Sequence, residues 1–342
     1  MPQRAAGSVT LADVAREAGV SLATASRALN GGTRQVRGDL LETVLKVAER
    51  LRYTANGPAQ AMARGRSNVV GLLVHDIVDP YFCSIASGVM RVAARHRLTV
   101  TIASTENQPE KEVEYVATLR GQRASAVILA GSRIEHRTLQ RRLTVELTAF
   151  EAAGGRAVVI GQNRLPFDTV QLGNRPGAAD LAARLTGLGH RSFLVLAGPP
   201  ALLTSRDRLR GFQDGLGRDG VALTAGRIVH TEFTRDGGYD AMARALDGGF
   251  RDGCVFAVND VMAVGAIAAC RDRGLRVPAD VAVAGFDDIV TLRDIRPSLT
   301  TVRVPIETMG EHALDFVLSE RAGSPRVKHV TGEVVLREST RL

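Results

Sequence analysis

Residues Thr10–Asn30 read TLADVAREAGVSLATASRALN, two short helical patterns around a tight turn. Thr10 is placed to cap the first helix, with Asp13 three residues on as its capping-box partner. Leu11, Val14, Ala15 and Ala18 share one helical face. Gly19 breaks the helix, the turn Ala18–Ser21 is short, and Ser21 is placed to cap a second helix whose inner side carries Ala25, Ala28 and Leu29. Two helices joined by a short turn containing Gly fit a helix-turn-helix, whose second helix enters the major groove of DNA. The outer face of that helix offers Leu22, Ala23, Thr24, Ser26 and Arg27. Small residues allow close approach, hydroxyls bond phosphate oxygens, and Arg bonds a guanine edge or a phosphate. Taken alone, the window also fits a packed helical hairpin of some other small domain.

The flanks favour DNA. Residues 1–66 hold ten Lys/Arg against five Asp/Glu, so this fifth of the 342-residue chain carries +5 of its net +8. A basic excess concentrated on one small segment is the footprint of a polyanionic partner. From Asp39 to Leu51, the residues Leu40, Leu41, Val44, Leu45, Ala48 and Leu51 recur at helical spacing, giving a third helix and a compact headpiece over 8–53. The basic turn Gly31–Arg37, GGTRQVR, is within reach of phosphate. In Tyr53–Arg66, Asn56-Gly57-Pro58 is a helix-start signal, and Pro58–Arg64 makes about two turns. So short a helix is unstable alone. It is either a flexible linker or a helix ordered by its twin in a second subunit or by DNA.

From Ser67 onward short β-branched runs alternate with helices: Val69–Val74, Val100–Ala103, Ala126–Ala130 and Ala157–Gly161, then Phe193–Ala197, Ile228–His230, Cys254–Asn259 and Val281–Gly285. Such runs indicate parallel sheets covered by helices on both faces. Eight units exceed one compact sheet, so two α/β lobes are expected, with a boundary near 161–164. A crossing near Thr300–Val304 and a helix Ile306–Glu320 return the chain between them. Ligands bind at the carboxyl ends of strands in open α/β sheets. His75, Asp76 and Asp79, Asn163 and Arg164, Asn259 and Asp260, and Asp287 and Asp288 all stand there. Each is read either as an ordinary helix cap or as a ligand contact.

Three cysteines, Cys83, Cys254 and Cys270, are too few and too scattered for a disulfide framework or a metal site, and read as core thiols. The N-terminus lacks the apolar core of a signal peptide and no apolar run is long enough to span a membrane, so a cytoplasmic protein without membrane contact is expected. No metal, cofactor or catalytic cluster stands out. Gly215–Gly220 satisfies G-x-G-x-x-G but follows a helix rather than a strand, so it is read as a surface turn and not a dinucleotide fingerprint.

The order of headpiece, hinge and two-lobed body resembles the LacI/GalR family of transcriptional repressors over nearly the whole chain, Ser8–Leu342. The motifs that carry the resemblance are VTLADVAREAGVSLATASRALNG (9–31), HDIVDPYF (75–82), GLGHR (187–191), RLRGF (208–212), NDVMAVGA (259–266), GLRVPADVAVAGFDD (274–288), LTTVRVP (299–305) and LREST (336–340). The resemblance implies that Ser21, Leu22, Ala23, Thr24, Ser26, Arg27 and Asn30 face DNA, with Leu22, Ala23 and Arg27 as base readers. Thr10, Arg34, Asn56 and Ala59 complete the expected contacts, and Met62 takes the place of the family's minor-groove leucine. Ala55 and Pro58 depart from the usual hinge. For the effector cleft it implies Asp79, Tyr81, Phe82, Asn163, Arg164, Arg208, Phe233, Asn259 and Asp287. Gly173-Asn174 stands where the family often has Asp-Asn, which either changes the ligand class or empties that subsite.

The expected organisation is therefore a headpiece at 1–55, a hinge helix at 56–66 and a periplasmic-binding-protein-like body at 67–342. Lobe 1 would take about 67–162 and a return near 305–325, and lobe 2 about 163–300 and the C-terminal segment. The expected function is a homodimeric regulator of a double-stranded, pseudo-palindromic operator, controlled by a small polar effector, a sugar before a purine or other metabolite. No C-terminal heptad run argues for a tetramer. A solute receptor with the same body leaves the headpiece unexplained; an architectural protein leaves the cleft unexplained.

Overall fold

The computed structural model describes residues 9–30, 36–53 and 67–341. The chain forms two compact units, Met1–Ser67 and Asn68–Leu342. In the first, α1 (Leu11–Glu17), α2 (Leu22–Asn30) and α3 (Gly38–Arg50) close around Val14, Ala15, Ala25, Val44, Val47 and Ala48. Asp13 N donates to Thr10 Oγ1 at 3.3 Å and Thr10 N donates to Asp13 Oδ2 at 3.0 Å, completing the capping box. Gly19 makes the turn at φ +65°, a conformation that disfavours any side chain. Thr24 N then donates to Ser21 Oγ at 3.1 Å, capping α2. Arg50 ties α3 back to Glu17 at 2.9 Å. One inner-face expectation changes. Leu45 is 47% exposed while Val47 is buried, because the inner stripe of α3 runs through 44, 47, 48 and 51, at i, i+3, i+4 and i+7.

The second unit holds two parallel sheets. The first comprises β1 (Val69–Val74), β2 (Thr99–Ser104), β3 (Ala126–Ala130), β4 (Arg156–Ile160), β5 (Asp168–Leu172) and β11 (Val327–Val330), in the order β11-β5-β4-β3-β1-β2. Its register sets Leu72 between Ile102 and Ile128. Alternate residues enter opposite cores. Val70, Leu72, Val74, Ile128, Val158 and Ile160 join the core that includes α4 (Pro80–Arg95) and α11 (Ile306–Leu318). Leu73, Val127, Leu129, Ala157 and Val159 join the core under α5 (Pro109–Gly121) and α6 (Arg137–Ala152). Burial on both faces is why β1, β3 and β4 read as unbroken apolar runs.

The second sheet has the order β7-β6-β8-β9, from β6 (Phe193–Ala197), β7 (Ile228–His230), β8 (Cys254–Ala257) and β9 (Ala282–Ala284). With it pack α7 (Asn174–Gly187), α8 (Leu203–Arg218), α9 (Arg235–Asp247) and α10 (Asp260–Asp272). Phe212 of α8 stacks on Phe256 of β8 with centroids 4.5 Å apart. A short antiparallel pair, β10 (Thr301–Arg303) and β12 (Glu333–Val335), completes this lobe. Two family-like motifs meet here. His190 Nε2 lies 2.9 Å from the Thr340 carbonyl, and Ser339 Oγ donates to Val283 O at 2.7 Å, so the C-terminal turn seals the end of β9.

The lobe division departs from the expected one. β5 and β11 belong to the first sheet, so the first crossing falls between β5 and α7, not at 162–163. The chain returns between β10 and α11 and leaves again between β11 and β12. Neither β5 nor β11 shows an apolar run, because Asp168, Gln171, Lys328 and His329 interrupt them. Asp168 is held by Arg156 at 3.2 Å and Arg326 at 2.6 Å. Cys254 and Cys270 are buried as expected, but Cys83 is exposed, its Sγ donating to Ile77 O at 3.3 Å.

Helix pairs approach closely through glycines. A Cβ on Gly88 of α4 would lie 2.0 Å from Glu307 O of α11, and one on Gly211 of α8 would lie 2.1 Å from Arg175 O of α7. Gly215, the first glycine of the G-x-G-x-x-G string, lies within α8 with its Cβ position 2.4 Å from Ala179 O, so it serves helix packing. No helix among the described residues is long and apolar enough to cross a membrane.

Candidate functional site

On the second helix of the headpiece, Ser21, Leu22 and Ala23 are exposed, and Leu22 reaches 53% exposure. Thr24, Ser26 and Arg27 are half-buried. Arg27 Nε donates to Ala23 O at 3.0 Å, which holds the guanidinium along the helix. Arg16, Arg37, Lys46 and Arg50 each have a carboxylate partner, whereas Arg27 forms no ion pair among the described residues. Arg34, Asn56, Ala59 and Met62, with the whole hinge helix, lie outside the described residues, as does the side chain of Asn30.

In the body, strand ends and the helices after them converge on a cavity of about 190 Å³. His75 follows β1, Ser132 follows β3, Gly161 follows β4 and Asn174 follows β5. From the other lobe come Thr204 and Arg208 of α8, Phe233 after β7, Asn259 after β8 and Asp287 after β9. This is the carboxyl edge of both sheets, where parallel topology leaves loops free to specialise. Asp79 caps α4, its Oδ1 accepting from Tyr81 N at 2.9 Å, with Pro80 fixing the first helical position. Asn259 caps α10, its Oδ1 accepting from Met262 N at 2.9 Å. These residues therefore both cap and line the cavity.

Arg208 is the hub of the site. Its Nη2 and Nη1 donate to Asp287 at 2.6 and 3.1 Å, Nη1 also to Val258 O at 2.8 Å, and Nε to Asn174 Oδ1 at 2.8 Å. One face of the guanidinium lies 3.9 Å from the Phe286 ring centroid. Both partners of the pair are buried, Arg208 at 2% and Asp287 at 5%. Asp287 has φ +125°, outside the regions an L side chain favours. Its backbone is fixed on both sides, N donating to Val302 O and O accepting from Val304 N. Asn174 thus anchors the arginine, with Gly173 and not an acid before it. Asp260 and Asp288 remain structural: Asp260 accepts from Thr301 Oγ1 at 2.6 Å and Ile289 N at 3.0 Å, and Asp288 pairs with Arg303 and Arg337.

Burial shapes the charges. It pushes the Asp79 carboxyl up to about 6, and the facing Asp287 adds to this against the bond from Tyr81. Burial, with the facing Asp287, holds Asp260 at about 7. Burial and the Arg133 cation push His75 down to about 4. Burial alone would raise Glu112, but the Arg133 guanidinium outweighs it and lowers that carboxyl; Arg133 Nη1 and Nη2 donate to Glu112 at 2.8 and 2.7 Å. The imidazole is thus neutral at neutral pH.

Beside the cavity the lobes touch directly. Thr204 N donates to Ser132 Oγ at 2.9 Å, Leu203 N to Arg133 O at 3.0 Å, and Glu135 N to Ala201 O at 3.1 Å. Gln162 Nε2 donates to Thr204 Oγ1 at 2.9 Å while its Oε1 accepts from Arg133 N at 2.8 Å. Arg206 pairs with Glu135 across the same seam.

Of the nine expected cleft residues, Asp79, Tyr81, Phe82, Arg208, Phe233, Asn259 and Asp287 surround this cavity. Asn163 and Arg164 do not line it and are exposed; Gln162 is the buried residue after β4. Only one residue of that turn can point inward, and it is the one hydrogen-bonded across the seam. Sequence reasoning passed over Asn107, Ser132, Thr204, Leu202, Val261 and Met309. Ser132 stands at a recognised strand end and was findable; Met309 enters from α11, and no local pattern announces it.

A helix-turn-helix unit followed by a two-lobed parallel α/β body with a polar cleft is the architecture of a regulator rather than of an enzyme. Residues 10–56 match the bacterial regulatory proteins of the lacI family, and residues 182–340 match a periplasmic binding protein-like domain. The HTH-type transcriptional regulator GalS of Salmonella typhimurium is 33% identical over 320 residues, 92% of this chain and 91% of its own. The lac repressor dimer bound to operator and the anti-inducer ONPF superimposes with TM-score 0.84 at 26% identity, covering 98% of this chain and 100% of that one. The transcriptional regulator CelR in complex with cellobiose superimposes with TM-score 0.70 at 28% identity, covering 97% and 99%. The chain belongs to the LacI family and is a DNA-binding transcriptional regulator.

Proposed function

We propose that the protein is a homodimeric repressor of a pseudo-palindromic operator and that a small sugar in the inter-lobe cavity controls it. Ser21, Leu22, Ala23, Thr24, Ser26, Arg27 and Asn30 read or position the DNA; Thr10, Arg34, Asn56, Ala59 and Met62 belong to the same reading. Asp79, Tyr81, Phe82, Arg208, Phe233, Asn259 and Asp287 bind the effector. The observation that carries the sugar reading is the cavity wall: aromatic rings of Tyr81, Phe82 and Phe233 beside Asp79, Asn174, Asn259 and Asp287. Ring faces suit the apolar face of a pyranose, and carboxylate and amide oxygens accept its hydroxyls. The cellobiose carried by CelR supports the same class. The dimer reading rests on the outer side of α4 and edge strand β2, where Ile77, Cys83, Ala86, Met90 and Ile102 line one open apolar groove. Exposed apolar groups on an edge are surface that a second copy would cover.

The test combines sedimentation of the purified protein with electrophoretic shifts on a selected palindrome, with and without sugars. A dimer that binds the palindrome and responds to a sugar is expected. Sequence-indifferent binding at moderate salt would sink the operator reading, and a monomer on the bound palindrome would sink the dimer.

A further inference from the structure

The cleft has no cation to spare. Among the described residues lining it, only Arg208 and Arg235 carry a fixed positive charge. Arg208 has five N–H donors, and its contacts with Asp287, Val258 and Asn174 use four of them. The one N–H left gives an anion no two-point grip, and a bidentate pair with Arg208 would have to displace Asp287 and leave that buried carboxylate unpaired. Arg235 is exposed at the rim, paired with Asp236 at 2.8 Å and lying 5.3 Å from the Tyr239 ring centroid. His75 stays neutral over the Glu112–Arg133 pair.

Negative groups face the cavity in excess. Asp76, Asp79 and Asp287 line it, and Asp79 has no cation within ion-pair distance among the described residues. Helix N-termini are the other place an anion would dock. Of those at the cavity, α4, α9 and α10 are already occupied by side-chain oxygens of Asp79, Thr234 and Asn259, and the first amides of α8 by Arg133 O and Ser132 Oγ; α7, which starts behind Gly173, carries no side-chain cap. Finally, about 190 Å³ is below the roughly 300–1000 Å³ of clefts that enclose drug-sized ligands.

We infer that the effector is a free, uncharged polyol of monosaccharide size and that this cleft rejects phosphorylated and carboxylated sugars. This rests on the carbohydrate reading above and deepens it. Recognition is by acceptors: ligand hydroxyls donate to Asp79 and Asp287, while the acidic surroundings repel a phosphate or carboxylate. The regulator accordingly reports on the sugar before any kinase acts on it, as delivered by uptake or by glycoside hydrolysis.

The experiment uses the full chain at pH 7.5 in thermal-shift and calorimetric titrations with matched probes. These are galactose, glucose, fructose and ribose, their monophosphates, galacturonate and gluconate, inorganic phosphate, and hypoxanthine as a non-sugar control. The expected result is that at least one free sugar binds and its phosphate and acid bind at least about a hundredfold more weakly. A phosphate ester or sugar acid binding within about tenfold of its free parent, or better, overturns the inference and leaves the carbohydrate reading standing. Binding of hypoxanthine alone, or of no sugar in any form, overturns the carbohydrate reading and the inference with it. Asp79→Asn keeps the helix cap, since Asn caps as well as Asp. It should narrow the discrimination by about tenfold, the effect of one lost charge worth a pK unit. Discrimination unchanged in that variant would refute the part given to Asp79.

Discussion

Asp287 offers the sharpest test because two energies at one residue have opposite consequences for two simple substitutions. Its carboxylate neutralises buried Arg208, and its backbone sits at φ +125°. Removing one member of a buried pair costs about 3–5 kcal/mol, because the survivor keeps its desolvation penalty. Holding an L residue in a disfavoured backbone region costs about 1–3 kcal/mol. Asp287→Ala loses the pair and keeps the strain, so it should destabilise the body by about 3–5 kcal/mol. Asp287→Gly loses the same pair but releases the strain, against a glycine penalty of about 0.5–1 kcal/mol in the unfolded chain. Glycine should therefore be the more stable of the two by about 1 kcal/mol, reversing the order found at most sites. The chain has no Trp, so urea unfolding is followed by far-UV circular dichroism, comparing midpoints at equal slope. If alanine is the more stable variant, the strain argument is wrong. If both variants stay within about 1 kcal/mol of the parent, the pair does not hold the fold as described.

Three further outcomes follow from the same contacts. Gly211→Ala should lower stability by about 1–3 kcal/mol by forcing α7 and α8 apart, whereas Gly217→Ala on the same helix, with nothing within 4 Å of its Cβ position, should be neutral or stabilising; equal melting temperatures would contradict the close seam. Asp79 has a raised pKa, so its stability contribution is full below 3.8 and lost as pH rises through about 6; His75 has a lowered pKa, so its contribution is full above 6.5 and lost as pH falls toward about 4. Asp79→Asn should therefore be more stable than the parent at pH 7.5 with the gap closing by pH 4, while His75→Gln should gain on the parent only on acidification; melting curves across that range decide it, and a parallel offset for either variant counts against the assigned shift. Gln162→Leu removes the bond that crosses the seam to Thr204 and, within the first lobe, the acceptor of Arg133 N, so the protein should lose about 1–3 kcal/mol by leaving that buried amide unpaired; an unchanged urea midpoint would mean that the glutamine does not tie the seam.

Much of this structure is legible in the sequence where one physical cause dominates. The capping box, the Gly19 turn and the apolar stripe of the headpiece are local, so Thr10–Asn30 announces them without help. β1, β3 and β4 are equally plain because burial on both faces leaves no room for polar residues. The sequence is silent where burial is one-sided or partners are distant. β5 and β11 alternate with Asp168, Gln171, Lys328 and His329; β5 pairs with the nearby β4, but β11 joins the first sheet only through β5, some 160 residues away. Leu45 looks like a core residue until the register of α3 against α1 and α2 is known. In the cleft, strand-end position picked out Asp79, Asn259 and Asp287. It could not tell Gln162 from Asn163 and Arg164, since one residue's turn decides which of them points inward. The commitment of Arg208 to Asp287 is a tertiary fact joining α8 to the loop after β9.

The glycine seams have a consequence for how such a protein can change. At Gly88, Gly211 and Gly215 a single added carbon would meet a carbonyl of the opposing helix. Substitution there is closed off whatever the ligand. The cavity rim over Asp76, Val78 and Asp79, by contrast, is a loop and a helix cap. A library of variants should therefore divide sharply, with the helix pairs fixed and the rim between Asp76 and Asp79 free to drift. New effectors would be acquired by rewriting that rim while the scaffold beneath it is inherited intact.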